Sequence, residues 1–225
     1  MSLYIETTRF VQVLLLCAWL RYLCRMTEPE IDERRRSIGA RRNPATQEAI
    51  LDAAEALLIE DGPAAFSIEA VARRARAGKP TIYRWWPSRG TLLLDIYHRQ
   101  KPAVIHADTG ALEEDVTLFI ERLIGYWRGG AGQVFRQIVA EAQRDGATAE
   151  KLREYAAARR HQTGALFERA IARGEIAPDT DPLLAAEMLS AFAWHRLLTD
   201  RLDLDRAEAA RIARQVVRGL QIKKS

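Results

Sequence analysis

The sequence predicts an all-α protein, with a group of short helices near residue 44 followed by a longer helical region. Three observations carry this. Apolar residues recur at three- and four-residue spacings over most of the chain beyond residue 44. Capping residues or proline open these runs, and glycine closes several of them. No stretch of useful length alternates as a half-buried strand would, and no internal repeat is present.

The totals fit an ordinary globular chain. Its 225 residues suffice for one large or two modest domains, and 48% hydrophobic with 28% charged residues is unexceptional. A net charge of +4 permits an anionic partner without selecting one. Both cysteines, Cys17 and Cys24, fall near the start, so no disulfide framework holds the body together, which fits a reducing cytoplasm.

Phe10 to Leu20 is strongly apolar but only about half the ~20 residues that a membrane helix needs. Basic residues flank it, yet Glu6 precedes it and no small-residue cleavage site follows. Residues 1–25 are therefore read as an upstream-start extension before Met26, with no membrane partner. Residues 26–43 read as a flexible arm, with Glu28, Glu30, Asp32 and Glu33 followed by Arg34, Arg35, Arg36, Arg41 and Arg42.

The first helix opens at Asn43-Pro44, carries Ile50, Ala53, Ala54, Leu57 and Leu58 on one face, and stops at Asp61-Gly62-Pro63. Ser67 caps a second, short helix with Ile68, Val71, Ala72 and Ala75 in register. A third begins near Gly78 or Lys79 and ends at Pro87. Ser88 caps a fourth, which carries Leu92, Leu93, Ile96 and Tyr97 and fades at Lys101-Pro102. Only three or four residues separate the second helix from the third, the dimensions of a helix-turn-helix. Beyond Pro102 the pattern gives helices over 112–128, 133–145 and 148–173, the last capped by Thr148. Two more follow, from Asp181-Pro182 to about Asp200 and from Arg206 to about Leu220.

Residues 78–89 read GKPTIYRWWPSR. As a helix, this stretch turns Ile82 and Trp86 to one side, with Trp85 three residues from Ile82. Lys79, Pro80, Thr81, Tyr83 and Arg84 cover the other side and the helix start. Free N–H groups, a lysine, a threonine hydroxyl and a phenol suit phosphate oxygens and base edges, and recognition helices present their N-terminal residues to the major groove. The indoles would stiffen a very short helix from behind. A small core helix with solvated charges is the bland alternative.

Thr46 to Tyr97, with AILDAAEALLIEDG, FSIEAVARRA, KPTIYRWWPSR and LLLDIY, resembles the N-terminal domain of the tetracycline-repressor (TetR/AcrR-like) family of transcription regulators. The resemblance implies a three-helix DNA-binding domain over 44–101 containing the helix-turn-helix, and a helical ligand-binding and dimerisation domain over 102–225. It implies that Ser67 opens the motif, that Lys79, Pro80, Thr81, Tyr83 and Arg84 face DNA, and that Arg89 stands where a phosphate-binding lysine is usual. Three positions depart from the family pattern. Arg76 replaces a turn glycine, where a left-handed backbone would cost ~1 kcal/mol or more, though its charge can add a phosphate contact. Gly78 replaces a serine cap at the start of the recognition helix, and Gly90 replaces a helix former.

The family's second domain supplies a homodimer and a small-molecule sensor. Leu184, Met188, Ala191 and Phe192, then Ala210, Ala213, Val217 and Leu220, form apolar stripes expected to build a four-helix bundle with a second copy. Phe119, Leu123, Trp127, Phe135, Tyr155, Phe167 and Trp194 are candidates to line an apolar cavity, with Arg159, His161 and Gln162 to orient a polar group. For the apolar and aromatic residues ordinary core is the favoured alternative, and a solvated helix face explains Arg159, His161 and Gln162 equally well. The expected partners are a double-stranded operator, a second copy and an apolar or aromatic effector.

No metal, cofactor or catalytic chemistry is expected. The four histidines lack metal-ligand spacing, and Gly129-Gly130-Ala131-Gly132 has neither the strand before it nor the lysine after it that a phosphate loop needs. The carboxylates are scattered and no nucleophile elbow is present. The competing reading is an architectural DNA-binding protein with no sensor.

Overall fold

The computed structural model describes residues 43–101 and 106–221; the expectations for the extension and the arginine-rich arm lie outside them. Helix α1 runs Pro44–Glu60, with the Asn43 side chain accepting the Ala45 N–H at 3.0 Å. A single turn, α2 (Gly62–Ala65), follows where the sequence read only a stop, because Gly62 takes φ 73° and lets Pro63 start a new helix. Helix α3 (Ile68–Ala75) is capped by Ser67, whose hydroxyl accepts the Ala70 N–H at 3.1 Å. Helix α4 spans Lys79–Trp85, and α5 spans Arg89–Gln100 with Ser88 and Thr91 forming a reciprocal cap.

The remaining helices are α6 (Leu112–Tyr126), α7 (Gly132–Ala142), α8 (Gly146–Ala172), α9 (Pro182–Leu198) and α10 (Arg206–Leu220). Between α6 and α7 a widened turn, Trp127–Ala131, is made possible by Gly130 at φ 106°. One cap differs from the sequence reading. Asp145, not Thr148, caps α8, accepting the Thr148 N–H at 2.7 Å, and Thr148 is buried in the first turn, where its hydroxyl donates back to Asp145. Among the described residues there is no strand.

Ile50, Ala54 and Leu57 of α1, Ile68 and Val71 of α3, Ile82 and Trp86 around α4, and Leu92, Leu93 and Ile96 of α5 bury one another. Residues α5 to α10 continue that core. Helix α8 packs on α9 and α7, and α10 packs on α6. Helix α5 belongs to both halves, since it contacts α1 on one side and α7 and α8 on the other.

Candidate functional site

The turn between α3 and α4 is held by its own backbone. Arg76 adopts φ 50°, ψ 40°, the left-handed conformation its position was expected to demand. Its N–H points to the Arg73 carbonyl and the Ala77 N–H reaches the Ala72 carbonyl at 3.0 Å, closing the α3 C-terminus. Gly78 then opens α4 without a side-chain cap. Within α4, Ile82 is fully buried, and Trp86 just beyond it is 1% exposed. The Trp86 indole N–H donates to Asp95 at 2.6 Å, and the other Asp95 oxygen lies 2.5 Å from Lys151 of α8. The opposite face is open: Lys79, Pro80, Thr81, Tyr83 and Arg84 are all exposed. Lys79 pairs with Glu69 of α3 at 2.5 Å, and that hydrogen bond raises the lysine's pKa and lowers the glutamate's.

A cavity of about 750 Å³ lies among α5 to α9, within the ~300–1,000 Å³ usual for small-molecule sites. Its walls include Tyr97, Phe119, Trp127, Phe135, Tyr155 and Trp194. Phe135 organises them, with its ring 4.8 Å from Tyr97 and 5.9 Å from Trp127, and the Trp194 ring edge-on at 5.2 Å. The Tyr97 hydroxyl accepts from the Trp127 indole at 2.9 Å, and burial drives its pKa far above the ordinary phenol value. Near the end of α5, Lys101 stands beside Arg159 of α8, and burial and Arg159 bring its pKa down to about 7.

A family model described as bacterial regulatory proteins of the tetR family matches residues 50–96, and one described as a tetracyclin repressor-like C-terminal domain matches residues 106–216. The chain belongs to the TetR family of transcription regulators. It is similar to the HTH-type transcriptional regulator YdeS of Bacillus subtilis, 29% identical over 162 residues that cover 71% of this chain and 82% of the relative. It is 28% identical to a DNA-binding transcriptional repressor TetR of Mycobacteroides abscessus, over 69% of this chain and 84% of that one. A crystal structure of a TetR family transcription regulator superposes with a TM-score of 0.66 at 27% identity, covering 79% of this chain and 99% of the other. These relatives are regulators and not enzymes.

In this TetR-family chain the expected DNA-facing residues of α4 share one exposed surface, and Ser67 is spent on its cap. Arg89 is placed differently from the expectation of a flanking phosphate contact. Its guanidinium pairs with Glu141, donates to Gln137 at 2.7 Å, and also reaches the carbonyls of Phe66 (3.0 Å) and Pro63 (3.3 Å). It is a clasp between α5 and α7. Phe119, Leu123, Trp127, Phe135, Tyr155 and Trp194 line the cavity as expected, whereas Phe167 is fully buried core and His161 is exposed outside the lining. Tyr97, Lys101, His106 and Thr163 also line the cavity, without a signal for it in the sequence, where Lys101 reads only as the frayed end of a helix.

The two candidate dimer stripes also separate. Leu184 and Met188 of α9 are 55% and 64% exposed, and Phe192 is half-buried. Ala213 and Val217 of α10 are buried against the rest of the same chain, and Leu220 is half-buried, with its carbonyl accepting the Ala177 N–H. The α10 stripe is thus intramolecular core, because α10 turns it onto α6. Among the described residues there is no cluster of three or more metal-binding side chains, and no helix is long and apolar enough to cross a membrane.

Proposed function

We propose that the protein is a ligand-responsive repressor that binds a palindromic operator as a homodimer in the cytoplasm and is released by a small apolar or aromatic effector. The DNA-binding domain is 44–101, and the ligand-binding and dimerisation domain is 102–225. One observation carries this reading: the start of α4 exposes Lys79, Thr81, Tyr83 and Arg84 while Ile82 and Trp86 are locked into the core beneath it. A seven-residue helix held that firmly can keep hydrogen-bonding groups fixed against base edges.

A second copy supplies the two-fold symmetry that a palindrome demands. Leu184, Met188, Ala191, His195 and Leu198 follow one another at alternating four- and three-residue steps along α9, and all are exposed. That stripe suits a helix packed against its twin. Ala191, His195 and Leu198 also line the cavity, so a partner seated on the stripe borders the effector site.

Helix α5 connects the two functions. Tyr97 and Lys101 meet the cavity near its end, while at its start the Ser88 hydroxyl lies 2.8 Å from that of Thr148 on α8. Asp95, midway, joins the Trp86 indole to Lys151. An effector that favours one placement of α5 therefore favours one placement of α4, and the dimer shifts toward a spacing that no longer matches successive major grooves.

Selection of duplexes from random DNA defines the operator. On it, Thr81→Ala and Tyr83→Phe are each expected to weaken a gel-shift titration about five- to tenfold, the worth of roughly one hydrogen bond, without dissociating the dimer in sedimentation. Unchanged titrations would remove α4 as the recognition helix, and selection without a consensus favours the architectural alternative.

A further inference from the structure

Resting on the reading of the cavity as an effector site, we infer that its effector is an apolar carboxylic acid, the carboxylate held between Lys101 and Arg159 and the body filling the aromatic chamber. Four cationic side chains, Lys101, Arg153, Arg159 and Arg160, line the cavity against a single acidic one, Glu187. Two of the four already have partners, since Arg153 pairs with Glu150 and Arg160 lies 3.0 Å from Glu187. Among the described residues no carboxylate lies within ion-pair distance of Lys101 or Arg159. Both lean instead on Tyr155, with Lys101 Nζ 5.6 Å and the Arg159 guanidinium carbon 5.2 Å from its ring centre. Lys101 also donates to the Tyr155 hydroxyl at 3.2 Å, while Arg159 Nε is buried without a hydrogen-bond partner.

The groups facing Lys101 offer it no negative charge. Tyr97 on its own helix and Tyr155 on α8 are buried phenols whose pKa values are pushed up, so both are neutral. Arg159 repels it. His106, stacked on Phe119 and 3.0 Å from the Thr163 hydroxyl, is brought down to about 4, by burial first and then by Lys101, Arg159 and Arg169. It is therefore a neutral hydrogen-bonding group at neutral pH. Two adjacent, partly desolvated cations without a counter-ion are costly to maintain, and a carboxylate relieves both at once, its two oxygens matching the guanidinium fork. The other charged groups of the wall, Arg153, Arg160 and Glu187, are already paired, and most of what remains is aromatic or aliphatic, which points to a single negative group on an apolar body.

Binding must then be linked to protons. Burial and Arg159 hold the Lys101 ammonium down to about 7, and a bound carboxylate raises that value. Affinity for the acid is full below about 7 and falls as pH rises through the raised value, with net proton uptake in that window.

Calorimetry on the intact chain with naphthoic acid, naphthamide and naphthylmethylamine tests this, because the three share a body and differ in charge. The acid is expected to bind at least about tenfold tighter than the amide, and the amine weakest. The acid's advantage should shrink to about twofold in Lys101→Met and in Arg159→Leu, which should still bind the amide and so report an intact cavity. In the unaltered protein the acid's affinity should drop between about pH 6 and about pH 9 while the amide's stays level. An amide or amine that binds as tightly as the acid overturns the carboxylate assignment and leaves the effector cavity standing. If none of the three binds, the cavity reading falls and the assignment with it.

Discussion

Seven consecutive residues make α4, the proposed recognition helix, whereas the proposed effector cavity draws its wall from α5, α6, α7, α8 and α9 and from Lys101, His106 and Trp127 beside them. In the first region a few positions decide everything, because one face of a short helix is nailed down by Ile82 and Trp86 and the other face is what remains. In the second the wall is shared among residues of five helices, and the chemistry lies in two cations that sequence separates by 58 positions. A local surface is stiffened from behind, while a distributed chamber is shaped by how long helices cross. Substitutions in the two regions should therefore have different reach.

Trp86→Ala should have the largest effect and the most local cause. It removes a nearly fully buried indole and leaves Asp95 without one of its two partners, and comparable losses cost ~3–5 kcal/mol. Thermal unfolding should fall accordingly and operator binding should be lost. Any folded fraction should still bind an apolar acid in the cavity, measured by calorimetry at low temperature. Trp86→Phe keeps an aromatic ring but loses the Asp95 hydrogen bond and part of the indole's volume, so it should fall short of the alanine variant, at ~1–3 kcal/mol. If Trp86→Ala bound operator normally, the indole would not be what holds α4.

The same contrast explains what could be read from the sequence. The caps at Asn43, Ser67, Ser88 and Asp181, the stop at Pro87 and the inward turn of Ile82 and Trp86 are consequences of residues within one helical turn of each other, and all are present in the structure. The left-handed turn at Arg76 was implied by the resemblance to the family, whose turn carries glycine there, and not by the arginine itself. What failed depended on neighbours distant in sequence. The apolar stripes of α9 and α10 look alike, and only the packing of α10 on α6 shows that Ala213 and Val217 are core while Leu184 and Met188 stay open. Arg89 reads as a phosphate contact from its neighbours in sequence, whereas Gln137 and Glu141, about fifty positions on, engage its guanidinium within the chain. Lys101 gave no signal at all, because its meaning lies in its nearness to Arg159.

Gly90 sharpens the comparison at the joint between the two regions, with an intermediate effect. A Cβ there would lie 2.4 Å from the Thr148 hydroxyl oxygen, 2.6 Å from its methyl carbon and 2.9 Å from a Glu141 carboxylate oxygen. Thr148 is fully buried and engaged with Ser88 and Asp145, so it cannot step aside freely. Gly90→Ala should gain up to ~1 kcal/mol of helix propensity and lose ~1–3 kcal/mol to overpacking, a net loss read as a lower melting temperature. Adding Thr148→Ala should recover much of it, and a double-mutant cycle that shows strict additivity would rule out the contact as the cause.

The smallest effect concerns two cations that the sequence had assigned to one task. Lys79 is exposed on the open side of α4, and its Glu69 partner is itself exposed, so the pair can exchange cheaply for a phosphate. Arg89 is committed to Glu141, Gln137 and two backbone carbonyls. Lys79→Ala should flatten the dependence of log affinity on log salt by about one unit per half-site and leave the melting temperature nearly unchanged. Arg89→Ala should do the reverse, lowering the melting temperature while leaving the slope alone, because a guanidinium held by Glu141 and Gln137 releases no counter-ion from the duplex. A slope that flattened in Arg89→Ala would mean that the clasp opens on DNA and that α5 moves away from α7 when the operator is bound.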